Sequence, residues 1–120
     1  MRRYLYLIAL IGILALIAPA GAQEPPPRPL RLAIAGLVHG HVAGFLRGAL
    51  TRQDVQIVGV FDPDEKLLRS YAERLELADR VTFTSLEAML DEARPEAVAA
   101  FTNTLDHTAV VEAAAGRRIH

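Results

Sequence analysis

From residue 31 onward, short apolar segments alternate with segments in which apolar side chains recur every three or four positions. The short apolar segments predict strands buried on both faces of a sheet, and the periodic segments predict helices with one buried stripe. The predicted strands are residues 31–35, 55–61, 81–83 and 97–101, and the predicted helices are residues 41–50, a helix that opens at 62–65, and residues 86–93 and 108–115. This alternation indicates βαβ units, so we expect an α/β fold with a parallel sheet, the strand order 3-2-1-4 and helices on both faces.

Three predicted helix ends carry residues that are typical of caps. Asp62 stands before Pro63 and predicts an N-cap, as does Asp106 before the last helix. Gly116 predicts a left-handed C-cap for that helix. Residues 118–120 then begin a fifth strand that the sequence truncates, so we interpret the chain as the front of a longer protein whose second domain is absent here.

Residues 1–22 have the composition of a secretory signal peptide. Arg2 and Arg3 form a basic start, residues 4–18 are apolar, and Ala20 to Ala22 are small residues suited to a cleavage site. The apolar run is shorter than the roughly 20 residues that a membrane-spanning helix needs, which favours a cleaved leader over a stable membrane anchor. The two arginines leave a twin-arginine signal open. We expect export to the periplasm or the extracellular space.

Residues 23–30 predict a stiff, extended tether rather than a folded element. Four of these residues are proline, which fixes φ and lacks an amide donor. The folded domain is therefore expected to span residues 31–120.

Charge and cysteine content exclude several classes of function. The chain has 13 basic and 14 acidic side chains, a formal net charge of −1. Nucleic-acid binding needs a basic surplus to neutralise phosphates, so we expect no nucleic-acid partner. The absence of cysteine excludes disulfides, thiolate zinc sites and a cysteine nucleophile.

A glycine-rich turn, Gly36 to His41, lies between the first predicted strand and helix, and Asp62 ends the second strand. Glycines allow a backbone to approach a pyrophosphate, a helix N-terminus supplies amide donors, and a carboxylate at the second strand accepts hydrogen bonds from ribose hydroxyls. The turn departs from the G-x-G-x-x-G pattern at Val38 and His41. A dinucleotide site and a parallel α/β domain without a nucleotide both remain open at this point.

The histidines do not predict a metal site. His39 and His41 are two residues apart, but no nearby acid or third histidine completes a set of ligands. His107 lies beyond the fourth strand, where ligands bind in open parallel sheets, which favours a role facing a cofactor.

The order of four segments resembles one protein family. These segments are RLAIAGLVHGHVAGFLRGAL, VQIVGVFDPDEKLLRSYAERL, SLEAMLDEARPEAVAAF and TNTLDHTAVVEAAAGRRIH. Together they are similar to the N-terminal domain of the glucose–fructose oxidoreductase, inositol dehydrogenase and MocA-like (Gfo/Idh/MocA) family. The resemblance implies a Rossmann domain that binds NAD or NADP in an oxidoreductase acting on a sugar or polyol. It also implies that the catalytic lysine lies beyond this sequence, so the catalytic residues are unknown.

The resemblance also implies roles for individual residues. The residues that match the phosphate turn are Gly36, Val38, His39, Gly40 and His41. Asp62 matches the adenosine-ribose acceptor, Thr102 and Asn103 match the small and polar positions after the fourth strand, and His107 matches a histidine that opens the next helix.

The residues after Asp62 favour NAD over NADP. Pro63, Asp64 and Glu65 bring no arginine that would receive a 2′-phosphate, and the acids would repel it. The alternative function is an exported Rossmann-like binding or interaction module that has lost the cofactor, as the residues Val38 and His41 allow.

We predict that the leader is cleaved after Ala22, because the small residues that end there suit a signal peptidase. The mature protein then begins at Gln23. N-terminal sequencing of exported protein checks this. Retention of Met1 would contradict cleavage and favour an anchored chain.

Overall fold

The computed structural model describes residues 27–120. Its elements are β1 (Leu30–Ala35), α1 (Val42–Leu50), β2 (Val55–Phe61), α2 (Glu65–Leu75), a 3-10 helix (Asp79–Val81), β3 (Thr82–Phe83), α3 (Leu86–Ala93), β4 (Ala97–Ala100) and α4 (His107–Gly116). The strands form one parallel sheet in the order β3-β2-β1-β4. The predicted α/β fold and strand order are confirmed. The predicted signal peptide and the first part of the tether lie outside the described residues.

Helices cover both faces of the sheet, as the sequence predicts. Alternate residues of β1 point to opposite faces, so Ile34 packs with α1 and α2 while its neighbours Ala33 and Ala35 pack with α3 and α4. Leu46 is fully buried on the first face and Met89 on the second. Each strand of the central pair therefore needs apolar side chains at consecutive positions.

Glycine at position 59 of β2 lets α3 lie close to the sheet. A Cβ atom built at Gly59 would lie 2.6 Å from Cγ of Met89 and 3.0 Å from its Sδ. The pairing of β1 with β2 shifts register at the same level, between Leu32 and Ala33. The missing side chain thus leaves room for Met89, which is fully buried.

The last residues of the tether bind the start of β4. The Arg28 guanidinium donates two hydrogen bonds of 2.8 Å to the Glu96 carboxylate, which also accepts from the Arg31 amide at 3.1 Å. The Arg31 amide and the Arg28 side chain lower the pKa of the Glu96 carboxyl below its usual range. The first strand, β1, starts at Leu30, whose amide donates to Asp54 O. The start predicted for this strand at residue 31 is therefore one residue late.

The cap predictions at Asp62 and Gly116 are wrong. The N-cap of α2 is Asp64, whose Oδ1 accepts from the amides of Lys66 at 2.9 Å and Leu67 at 3.1 Å. Gly116 is the last residue of α4, and the left-handed residue is Arg118, with φ of 57°. Two hydrogen bonds that follow the helix replace the glycine cap, from the Arg118 amide to Ala115 O and from the Ile119 amide to Ala114 O.

Residue 120 lies where a fifth strand is expected. The amide of Val98 donates to His120 O at 2.7 Å, and the amide of His120 donates to Glu96 O at 3.0 Å. A residue that bonds to two partners two positions apart is typical of a parallel ladder. His120 therefore pairs with the outer edge of β4 in the manner of a parallel strand.

None of the helices in residues 27–120 has both the length and the apolar character that crossing a membrane requires.

We predict that Gly59→Ala lowers the free energy of unfolding by about 1–3 kcal/mol, the usual cost of an overpacked core. Gly48→Ala is the matched control, because nothing lies within 4 Å of a Cβ at Gly48 in the last turn of α1. That substitution should instead raise stability by about 0.5–1 kcal/mol. Urea denaturation of the two variants measures both changes, and equal stabilities would contradict the close approach of α3.

Candidate functional site

The carboxyl ends of β1, β2 and β4 meet at one edge of the sheet. The glycine turn, residues 36–41, follows β1 at this edge. Asp62 directly follows β2, and Thr102 lies just beyond β4. Ligands of open parallel sheets bind outside the carboxyl ends of the strands, at the point where the connections diverge to the two sides. The structure thus brings the predicted turn, Asp62 and Thr102 together at that point.

Backbone hydrogen bonds join the turn to both neighbouring strands. The amide of Gly36 donates to Phe61 O at 2.7 Å, and the amide of Leu37 donates to Oδ2 of Asp62 at 2.7 Å. On the other side, the amide of His39 donates to Phe101 O at 3.2 Å. The turn is therefore fixed between the ends of β2 and β4.

Glycine is required at position 36 for two independent reasons. Its φ is +89°, in the region that side-chain-bearing residues rarely adopt. A Cβ atom there would also lie 2.6 Å from the backbone nitrogen and Cγ2 of Thr102. Because the turn lies in such close contact with Thr102, Gly36 sets the shape of this edge.

Asp62 faces inward rather than toward solvent. Only 2% of its surface is exposed, and its Oδ1 accepts from the amide of Asp64 at 2.8 Å while Oδ2 accepts from Leu37. Its own amide donates to Phe83 O at 3.2 Å. The carboxylate therefore joins the glycine turn to the start of α2, and its role as a ribose acceptor remains a prediction.

The outer part of the turn is open to solvent. Val38, His39, Gly40 and His41 are all exposed. Within residues 27–120, the amides of Val38 and Gly40 donate no hydrogen bond. These donors lie next to the N-terminus of α1, where the positive end of the helix dipole favours an anion.

Four aromatic rings, two of them from the glycine turn itself, lie side by side at this edge of the sheet. The ring centres of His41 and His39 are 5.2 Å apart, those of His39 and Phe101 are 6.3 Å apart, and those of Phe101 and Phe45 are 5.1 Å apart. The sequence reasoning missed Phe101 and Phe45 as parts of this edge. The available signal was position, because Phe101 directly precedes Thr102 and Phe45 is exposed in the first turns of α1.

Thr102 and Asn103 follow β4 and differ in environment. Thr102 is 7% exposed, and its Oγ1 has no hydrogen-bond partner within the described part of the chain. Asn103 is exposed, and its Oδ1 accepts from the amides of Leu105 at 2.9 Å and Asp106 at 3.1 Å. Thr102 thus keeps a free hydroxyl at the edge of the sheet, whereas the Asn103 side chain folds its own loop.

Asp106 occupies the predicted N-cap position of α4, but its side chain does not cap the helix. The Asp106 side chain makes no capping hydrogen bond to α4 and instead accepts from Nδ2 of Asn103 at 2.6 Å. His107 opens α4 as predicted and is half-buried. In residues 27–120, no three His, Cys, Asp or Glu side chains are grouped closely enough to hold a metal ion.

These residues fit the phosphate part of a dinucleotide. The free amides of Val38 and Gly40 can donate to phosphate oxygens, and the unpartnered hydroxyl of Thr102 is a buried polar atom that needs a partner. The imidazoles of His39 and His41 stand on the same exposed surface. The residues at the positions where dinucleotide-binding turns carry the second and third glycine, Val38 and His41, are both exposed and block none of these groups.

Comparison with known protein families agrees with this site. A family model described as "Oxidoreductase family, NAD-binding Rossmann fold" (GFO_IDH_MocA) matches residues 30–120. A comparison with curated proteins gives no significant match. The family match runs from the first residue of β1 to the residue that pairs beside β4, so it includes the sheet, the glycine turn and Asp62. The chain therefore belongs to the Gfo/Idh/MocA oxidoreductase family and carries its NAD-binding Rossmann domain.

Proposed function

We propose that this domain binds NAD in preference to NADP, and that it does so for an exported oxidoreductase that acts on a sugar or polyol. One observation carries the proposal: the glycine turn is held between β2 and β4 with the amides of Val38 and Gly40 free at its exposed surface. The turn is fixed before any nucleotide arrives, so little conformational entropy is lost when a phosphate binds.

The phosphates are placed at the N-terminus of α1. There the amides of Val38 and Gly40 donate to phosphate oxygens, and the helix dipole adds a favourable field. No acidic residue lies in the first turn of α1, so no carboxylate opposes the anion from within that helix.

The charge at the end of β2 supports the preference for NAD. Asp62, Asp64 and Glu65 are acidic, and a 2′-phosphate beside them would meet like charge. The guanidinium of Arg69 lies 2.8 Å from Oε1 of Glu65, so that cation is already paired. Lys66 is exposed on α2 between Glu65 and the core-facing residues and offsets little of the repulsion.

The chemistry follows from the family. When bound, the nicotinamide would supply hydride transfer, from a carbon that bears a hydroxyl group or to the carbonyl carbon that forms when that group is oxidised. The described residues bind and orient the dinucleotide, and the ring cluster of His41, His39, Phe101 and Phe45 borders the phosphate turn. No general acid or base is assigned to this chain, and the sugar or polyol substrate rests on the family resemblance.

The export proposal rests on residues 1–22, with their basic start, apolar run and small residues.

We predict that Asp62→Ser weakens NAD binding by about 1–3 kcal/mol, because a charged hydrogen-bond acceptor is lost, and that it narrows the discrimination against NADP. Calorimetric titration with each nucleotide measures both effects. Glu73→Ser is the control, since it removes one exposed carboxylate near the end of α2, the helix that follows Asp62.

Two results would count against the proposal. Equal affinities of the unaltered protein for both nucleotides, or tighter binding of NADP, would contradict the preference for NAD. A complete lack of nucleotide binding would favour the alternative, an exported Rossmann-like module without a cofactor.

A further inference from the structure

We propose that Asp62 is a positioning residue for the glycine turn. Its carboxylate holds the amide of Leu37 and thereby fixes the direction in which the amides of Val38 and Gly40 point. This inference rests on the proposed nucleotide binding. It assigns Asp62 an effect on phosphate affinity that needs no contact with the ribose.

The first step is that each oxygen of the Asp62 carboxylate already accepts one backbone hydrogen bond. Oδ2 accepts from the Leu37 amide at 2.7 Å and Oδ1 accepts from the Asp64 amide at 2.8 Å, with the residue 2% exposed. Hydrogen bonds from amides to a carboxylate are stronger than those to a neutral oxygen, and burial removes the competition from water. These two hydrogen bonds, which we call the clasp, are therefore a stable part of the domain.

The second step is that the clasp acts on the residue just before the free donors. The Leu37 side chain is 2% exposed and belongs to the core between the sheet and α1 and α2. Its amide is held by Asp62, so both the side chain and the backbone of Leu37 are fixed. Val38 comes next, and its orientation depends on the peptide that Leu37 holds.

The third step is that a carboxylate is needed at position 62, not merely a polar side chain of that size. Two N–H donors converge on its two oxygens. Asparagine has one acceptor oxygen and an NH₂ group that only donates, so it leaves one of the two amides without a partner. Asp62→Asn thus breaks one half of the clasp at unchanged volume.

The experiment compares ADP with 2′,3′-dideoxy-ADP, which lacks both ribose hydroxyls, on the unaltered protein and on Asp62→Asn. If Asp62 acts through the turn, the substitution lowers the affinity for both nucleotides by at least fivefold. If Asp62 acts only by accepting from the ribose, the loss disappears with the dideoxy nucleotide. A loss of less than fivefold on 2′,3′-dideoxy-ADP overturns the inference.

Asp64→Ala is the matched control for lost stability. Asp64 caps α2 through the amides of Lys66 and Leu67, and its side chain makes no hydrogen bond to the glycine turn. This variant should lower the melting temperature and leave the affinity for 2′,3′-dideoxy-ADP within twofold. An equal loss of affinity in Asp64→Ala and Asp62→Asn would show general destabilisation and would overturn the inference.

A second measurement serves if Asp62→Asn does not fold. Amide hydrogen exchange of the unaltered protein, free of nucleotide, should show the Leu37 amide strongly protected and those of Val38 and Gly40 exchanging rapidly. Rapid exchange at the Leu37 amide would contradict the clasp without contradicting the proposed nucleotide binding. Failure of the unaltered protein to bind ADP or NAD would instead overturn the proposed function, and this inference with it.

Discussion

After the last residue of β1, the chain no longer pairs in the sheet but still lies between the ends of β2 and β4. Its backbone amides therefore need hydrogen-bond acceptors outside the regular strand pairing. The structure supplies these acceptors in three hydrogen bonds: Gly36 to Phe61 O, Leu37 to the Asp62 carboxylate, and His39 to Phe101 O. Buried amides without partners are costly, so these bonds determine the path of the turn. The position of the nucleotide site depends on that path.

The remaining features of this edge follow from the same constraint. Because the turn passes so close to Thr102, the second residue after β4, position 36 accommodates only glycine. The turn then delivers the chain into α1, leaving the amides of Val38 and Gly40 at the surface. The proposed phosphate site and a stable backbone thus depend on the same set of bonds, with the acidic end of β2 alongside.

The sequence was sufficient for the sheet, because strands buried on both faces, such as residues 55–61, have a pattern that helices with one buried stripe do not share. It was insufficient where a side chain selects between partners. Asp62 and Asp64 are equally good caps by local rules, but the Leu37 amide is 25 residues away from Asp62 in the chain and becomes its partner only after β1 and β2 pair. Asp106 likewise pairs with Asn103 instead of capping α4, because Asn103 organises a loop whose shape no periodicity reveals.

The central claim is that the exposed amides of the held turn receive the phosphates of NAD. The most direct test is to add NAD to the isotopically labelled protein and follow the chemical shift of each amide. The account predicts saturable shifts that are largest at Val38 and Gly40, with small shifts at Gly48 in the last turn of α1. Shifts at Val38 and Gly40 no larger than those at Gly48 would contradict it.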